Sequence, residues 1–399
     1  MNRFYLIGLD DNRHPFLPPE VQKIIASHQV FSGGVRHREI MTPYLAKSIT
    51  WIDITVPLDG VFERYAAYNN KESIVVFASG DPLFYGFAAT IQKRLPRAEI
   101  RLFPTFNSLQ KLAHALLMPY HDMRIVSLTG RPWLELDRAL IERAEKIGIL
   151  TDREHTPAAI ARRLLDYGYD NYTIYTGEHL GNPEKQNIRQ FTLPTALLNS
   201  FETPNCVLLV KEKEGRPRLF GIPEKAFALL DGRAKMITKM PIRLLSLHFL
   251  DLERRTRLWD IGFCTGSVSI EAKLQFPHLQ ITAFEIRPEG KELMQTNNRR
   301  FGTPGIEPVI GDFCQIDLAS LQAPDAVFIG GHGGKLADML TRIGDKLAPG
   351  GVVVFNSVSA ESKEQFIEAG GRAGLAIDAQ TTLTVDQFNP ITILRAVRK

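Results

Sequence analysis

The chain is poor in cysteine, with three in 399 residues. Cys206, Cys264 and Cys314 lie far apart, so neither a disulfide framework nor a metal site with close cysteine spacing is expected. A reduced, cytoplasmic protein without a bound metal is the simplest reading. No apolar run approaches the ~18 residues of a membrane-spanning helix, so no membrane partner is expected. The apolar run at 4–9 is too short for a secretory signal and reads as a first strand. Charge of one sign is also scarce. There are 48 basic and 44 acidic residues, a net +4, whereas a nucleic-acid binder usually carries a basic stripe. No nucleic-acid partner is expected. There is no short repeat or low-complexity tract. What remains is a globular composition, 44% hydrophobic and 23% charged, on a chain long enough for two or three cores.

Short apolar runs alternate with amphipathic stretches, the pattern of strands and helices in turn. In the first half, strands are expected at 5–9, 73–78, 99–103, 124–128, 147–150, 171–176 and 205–210. The polar stretch KEKEGRPR then contains Gly215 and Pro217 and reads as a linker. The expected division is 1–213, a linker at 214–226, and 227–399. The first part divides again near 105, leaving a cleft. In the second half, strands are expected at 257–261, 280–284, 307–310, 326–329 and 352–355, followed by a hairpin within 381–399. The fold class is α/β, with a doubly wound, Rossmann-like second part that carries an antiparallel edge hairpin.

The most informative string is LWDIGFCTGSVSIE, residues 258–271. A strand runs through a turn with Gly262 and Gly266 into a helix start, where backbone N–H groups lack partners. Asp260 precedes the turn, and Glu285 ends the next strand, where a carboxylate can hold ribose hydroxyls. A dinucleotide fingerprint would place glycine at Cys264, and Asp260 suits a pyrophosphate poorly. The string resembles motif I of class I methyltransferases, with Cys264 at a glycine position. Further on, PDAVFIGGHGGKL (324–336), with its flanks DGRAKMITKMPIR (231–243) and LAPGGVVVFNSVSAES (347–362), resembles the decarboxylating precorrin methyltransferases. That resemblance implies S-adenosylmethionine held by Thr238, Asp260, Gly262, Cys264, Thr265, Gly266, Glu285, Gly311 and Asp312. It places Gly331 and Gly333 against the substrate. His332 is a candidate proton donor, or a surface-loop histidine. Lys239 and Arg243 are candidates to pair with substrate carboxylates, or solvated helix-start residues.

In the first half, FASGDPLFYGFAAT (77–90) resembles the signature of the tetrapyrrole methylases. YLIGLDD (5–11), FPTFNSLQKLA (103–113) and SLTGRP (127–132) fall in that family's order. LTDREHTPAAIA (150–161) and TGEHLGNPEKQ (176–186) are similar to its C5-methylating branch. The resemblance implies two α/β subdomains with the adenosyl cofactor in the cleft between them, near Gly8, Gly80, Asp81, Phe84, Gly86, Asn107, Ser108, Thr156 and Pro157. An acid-decorated substrate calls for cations, and Arg36, His37, Arg38 and Arg131 are candidates, or ordinary surface bases.

The order of the two halves resembles the precorrin-6Y C5,15-methyltransferase family. It implies a bifunctional enzyme of cobalamin biosynthesis. Such an enzyme methylates C5 and C15 of precorrin-6B or its cobalt form and decarboxylates the C12 acetate. It takes a small tetrapyrrole as partner and assembles as a homo-oligomer. Two other readings stay open: an RNA or protein methyltransferase, and a non-catalytic tetrapyrrole-binding protein.

Overall fold

A computed structural model describes residues 2–68, 72–232, 236–386 and 389–398. Parts of two expected features, 233–235 in the segment before the second sheet and 387–388 in the terminal hairpin, lie outside the described residues. The chain forms two compact units. The first gathers Met1–Arg131, Glu145–Arg162 and Tyr172–Glu212, and the second Pro132–Ala144, Arg163–Asn171 and Lys213–Lys399.

The first unit holds two five-stranded sheets. One contains β1 (Arg3–Leu9), β2 (Val30–Gly33), β3 (Thr50–Asp53), β4 (Ile74–Ser79) and β5 (Glu99–Phe103), in the order β3-β2-β4-β1-β5, all parallel. Alternation along each strand feeds a core on either face. Phe4, Leu6, Ile74 and Val76 pack on one side, and Ile7, Leu9, Val75 and Phe77 on the other. Burial on both faces explains why β4 reads IVVFA, without polar alternation. The second sheet contains β6 (Arg124–Ser127), β7 (Lys146–Leu150), β8 (Tyr172–Glu178), β9 (Asn187–Thr192) and β10 (Asn205–Lys211), in the order β6-β7-β10-β8-β9. Only β6 and β7 run parallel; the other pairs are antiparallel.

The second unit is built on β11 (Arg257–Ile261), β12 (Gln280–Glu285), β13 (Ile306–Ile310), β14 (Ala326–Ile329), β15 (Val352–Ser357), β16 (Leu375–Leu383) and β17 (Ile391–Arg398). Their order is β13-β12-β11-β14-β15-β17-β16. The first five are parallel, while β17 is antiparallel to both β15 and β16. Sequence order reverses between β11 and β14, the place where open parallel sheets leave a crevice. Leu258, Phe328 and Val354 pack on one face, and Trp259, Ile261, Val327 and Phe355 on the other.

Two helical pieces from the first half of the chain belong to this second unit. Ile141 packs into its core, and buried Asp137 accepts two hydrogen bonds of 2.6 Å from Arg163. The Tyr169 hydroxyl donates to the Gly302 carbonyl at 2.7 Å. None of the helices formed by described residues is long and apolar enough to cross a membrane.

Candidate functional site

In the second unit a cavity of about 720 Å³ opens at the switch point between β11 and β14. Its wall begins with Gly262, at φ +77°. A Cβ there would stand 2.8 Å from the Gly331 backbone N and O. The turns after β11 and β14 therefore pass backbone to backbone, which only glycine permits. Cys264 follows at φ +51°, and its backbone N–H donates to Glu285 Oε2 at 2.9 Å. Glu285 is buried at the end of β12, and its Oε1 accepts from Arg287 N and Nη1, each at 3.1 Å. The carboxylate is thus fixed in place at the cavity wall. A carboxylate offers about four lone-pair positions, so it retains capacity for a ligand hydroxyl. Asp312, on the same wall, accepts from Lys335 Nζ at 2.6 Å and from Cys314 N at 3.0 Å.

Asp260 is buried behind this wall. Its Oδ2 accepts from Ser269 N at 3.1 Å and Ser269 Oγ at 2.6 Å. Its Oδ1 has no partner, nor does the buried Thr265 Oγ1. Burial pushes the Asp260 carboxyl up to about 6, against the pull of the Ser269 hydrogen bonds. An unsatisfied buried carboxylate oxygen is costly, and a cationic or N–H-bearing ligand would relieve it. Lys239, His332 and Asn356 also line the cavity. His332 Nδ1 accepts from Gly334 N at 3.3 Å, and its ring stands edge-on to Phe355.

Of the residues the sequence singles out, Thr238, Lys239, Gly262, Cys264, Glu285, Gly311, Asp312, Gly331, His332 and Gly333 line this cavity. Asp260, Thr265 and Gly266 support it from behind. Gly266, at φ +75°, opens the helix Ser267–Gln275 against Met294. Arg243 is elsewhere: it is fully buried, and its guanidinium donates to Glu271 Oε2 at 3.2 Å, to the Thr238 carbonyl at 2.9 Å and to the Ile222 carbonyl. It braces the segment that precedes the sheet, and its donors are turned toward protein rather than toward a ligand. Buried Glu271 also accepts from Gly221 N and Ile222 N. Position 243 read as a helix-start base because nothing local announces a partner 28 residues away.

The first unit has a cavity of about 530 Å³, lined from both of its sheets. Gly80 lines it, and Gly8 packs directly against Gly80 from outside the lining. A Cβ on Gly8 would fall 1.9 Å from the Gly80 carbonyl oxygen. Gly80 itself turns at φ +59°, donates its N–H to the Leu9 carbonyl at 2.7 Å, and accepts from Thr105 N at 3.3 Å. The ends of β1, β4 and β5 are thereby tied into one backbone platform. Asn107 caps the helix Ser108–Ala115, accepting from Gln110 N at 2.9 Å, while Gln110 Oε1 accepts from Asn107 N at 3.0 Å. Gly80, Phe84, Gly86, Asn107, Ser108, Arg36 and His37 line the cavity.

The other expected residues of this half, Gly8, Asp81, Thr156, Pro157, Arg38 and Arg131, lie outside the cavity lining. Asp81 Oδ1 accepts from Leu83 N at 2.9 Å and holds the turn. Thr156 Oγ1 accepts from Ala159 N at 3.2 Å, and Pro157 opens the helix Pro157–Asp166, so this pair starts a helix. Arg131 donates to Ser127 Oγ at 2.6 Å and lies 5.0 Å over the Tyr85 ring, which does line the cavity. Arg38 lies 3.6 Å from Asp53 Oδ2 and over Trp51. The sequence reading missed Asp10, Asp11, Ser79 and Lys111, all of which line the cavity. The doublet Asp10-Asp11, two adjacent carboxylates directly after an apolar strand, was the available signal.

Two family models match different parts of the chain. Residues 17–197 match the family model of tetrapyrrole (corrin/porphyrin) methylases, and residues 230–398 match that of the precorrin methyltransferase domain. A precorrin-6Y C(5,15)-methyltransferase (decarboxylating) from a Sinorhizobium species is 30% identical over 370 residues, covering 92% of this chain and 88% of that protein. Two shorter relatives from Salmonella typhimurium match as well. A cobalt-precorrin-6B C(15)-methyltransferase (decarboxylating) is 39% identical over 33% of this chain and 68% of its own length. A cobalt-precorrin-7 C(5)-methyltransferase is 26% identical over 52% of this chain and 98% of its own length.

Proposed function

The chain belongs to the family of decarboxylating precorrin-6Y C5,15-methyltransferases, and on that premise we propose that its two cavities serve two methyl transfers to one corrin-type ring. The tetrapyrrole-methylase half (1–213) acts at C5. The class I half (227–399), joined through 214–226, acts at C15 and releases carbon dioxide from the C12 acetate. The substrate is precorrin-6B or its cobalt form. The observation that carries this reading is the presence of two separate cavities. Each lies at the ends of parallel strands beside a close backbone approach at glycine.

S-adenosylmethionine supplies a methyl group already activated on a sulfonium. The residues present suit it. In the second unit Glu285 would accept from the ribose hydroxyls, Asp312 would meet the adenine edge, and Asp260 Oδ1 with Thr265 Oγ1 would take up donors from the amino-acid end. In the first unit the Gly80 platform and the Asn107 cap would hold the cofactor through backbone groups. The protein's main contribution is to hold a nucleophilic ring carbon in line with the methyl group. Such positioning is worth roughly 7–11 kcal/mol at best. Decarboxylation needs an electron sink, which the conjugated ring provides, and then a proton. We take His332 as the donor, acting through Nε2, since Nδ1 accepts from Gly334 N. Lys239, which lines the same cavity, is the candidate partner of a ring carboxylate.

The test is incubation with precorrin-6B and S-adenosylmethionine, with and without cobalt in the ring, read by mass spectrometry. Two methyl groups gained and one carboxyl group lost are expected. A product with intact carboxylates and no added methyl group would refute the reading.

A further inference from the structure

Ser79 ends β4 at the wall of the first cavity. A serine hydroxyl has two acceptor positions and one proton. Arg36 Nη2 donates to Ser79 Oγ at 2.7 Å, and His37 Nε2 lies 3.2 Å from the same oxygen. Gly34 N–H points at His37 Nδ1, 3.4 Å away. Burial and the Arg36 charge push the imidazole down to about 4, so it is neutral near pH 7 and carries a single ring proton. With Nδ1 accepting, that proton sits on Nε2 and faces Ser79. Both acceptor positions of the hydroxyl are therefore filled, and its own hydrogen must go to an acceptor.

The carboxylates lining that wall are already engaged. Asp11 is 4% exposed. Its Oδ1 lies 3.6 Å from Arg36 Nη1, and its Oδ2 lies 2.9 Å from His179 Nδ1 and 3.4 Å from Asn182 Nδ2. His179 reaches Glu202 with its other nitrogen at 3.1 Å and sits on left-handed backbone at φ +48°. Strain of that kind persists only where the surroundings over-determine it. Asp10 is paired with Lys111 and also accepts from Asn12 N. Asp11 thus pins the guanidinium that in turn pins the hydroxyl.

We propose that Ser79 and Arg36 together recognise a ligand carboxylate in the first cavity, and that Asp11 is the positioning residue for that pair. The inference rests on reading this cavity as a methyl-transfer site. An anionic acceptor is the chemistry that a guanidinium and an outward hydroxyl proton select side by side. Two molecules of the reaction carry one: the methyl donor, at its amino-acid end, and the ring, on its acetate and propionate arms.

The experiment uses the full chain as wild type, Ser79→Ala, Ser79→Thr, Asp11→Asn and the Ser79→Ala/Asp11→Asn double variant. S-adenosylhomocysteine binding is measured by calorimetry and ring binding by absorbance titration, with C5 and C15 methylation followed in parallel. Ser79→Ala is expected to weaken one of the two ligands at the first cavity by about tenfold. Weakened S-adenosylhomocysteine identifies the donor's carboxylate, and weakened ring identifies the ring's. Ser79→Thr should restore most of the affinity. Asp11→Asn should act on the same ligand, and the double variant should be little worse than Ser79→Ala, as coupled residues behave. C15 methylation should be unchanged in every variant. Wild-type affinity for both ligands in Ser79→Ala, or no rescue by threonine, would overturn the inference alone. A wild-type chain that binds neither ligand would remove the reading of the site and this inference with it.

Discussion

Glu285 shows how much a single position can carry. Its spacing from the Gly262 turn made it legible as a ribose-binding carboxylate, and the structure places it buried at the cavity wall with a fixed orientation. Glu285→Ala should abolish C15 methylation and leave C5 methylation within about twofold of wild type, because the two cavities share no lining residue. Product masses from the full-length variant check this, and joint loss of both methyl groups would contradict it. Asp260 makes a prediction in pH. Its carboxyl ordinarily titrates at 3.8 but holds its proton to about 6 in the fold. Between those values the folded chain binds a proton that the unfolded chain lacks, so this group's contribution to stability falls as pH rises. Asp260→Asn does not titrate. Its stability relative to wild type should therefore improve steadily from about pH 4 to about pH 7, as read from urea midpoints. Parallel pH profiles would contradict the assignment. Arg243 and Ser79 were illegible for one reason: each is defined by partners distant in sequence, Glu271 in one case and Arg36 in the other.

At the scale of elements, long strands with continuous apolar runs, such as β4 and β15, were plain in the sequence. β2 and β3 were not, for they have four residues each, VFSG and TWID. So short a stretch shows no period, and only pairing, of β3 with β2 and of β2 with β4, gives it meaning. β9 was missed because it is a half-exposed edge strand, NIRQFT, with a polar pattern. The meeting of β1 with the Gly80 turn is the most constrained junction in the first sheet. Gly8→Ala would drive a methyl group into backbone at 1.9 Å. It should cost roughly 1–3 kcal/mol of stability and remove C5 methylation. Gly60 provides the contrast: it lies in the helix Asp59–Ala66 with nothing within 4 Å of a Cβ. Gly60→Ala should stabilise by roughly 0.4–1 kcal/mol. Chemical denaturation of both variants checks the pair, and equal effects would show that the close approach at Gly8 is not limiting.

At the scale of the whole molecule, the sequence pattern announced two α/β parts, and the chain supplies five neighbouring parallel strands and a cavity in each unit. What it did not announce is that Pro132–Ala144 and Arg163–Asn171 are gathered into the second unit. Asp137 with Arg163 ties the two pieces together and the Tyr169 hydroxyl ties them to the Gly302 carbonyl, contacts that amphipathic periodicity cannot encode. The central claim is that one chain holds two independent donor sites. Calorimetric titration of the intact protein with S-adenosylhomocysteine tests it most directly. Two molecules bound per chain, falling to one in Glu285→Ala, is the expected result. A single site in the wild type, or loss of all binding in the variant, would contradict it.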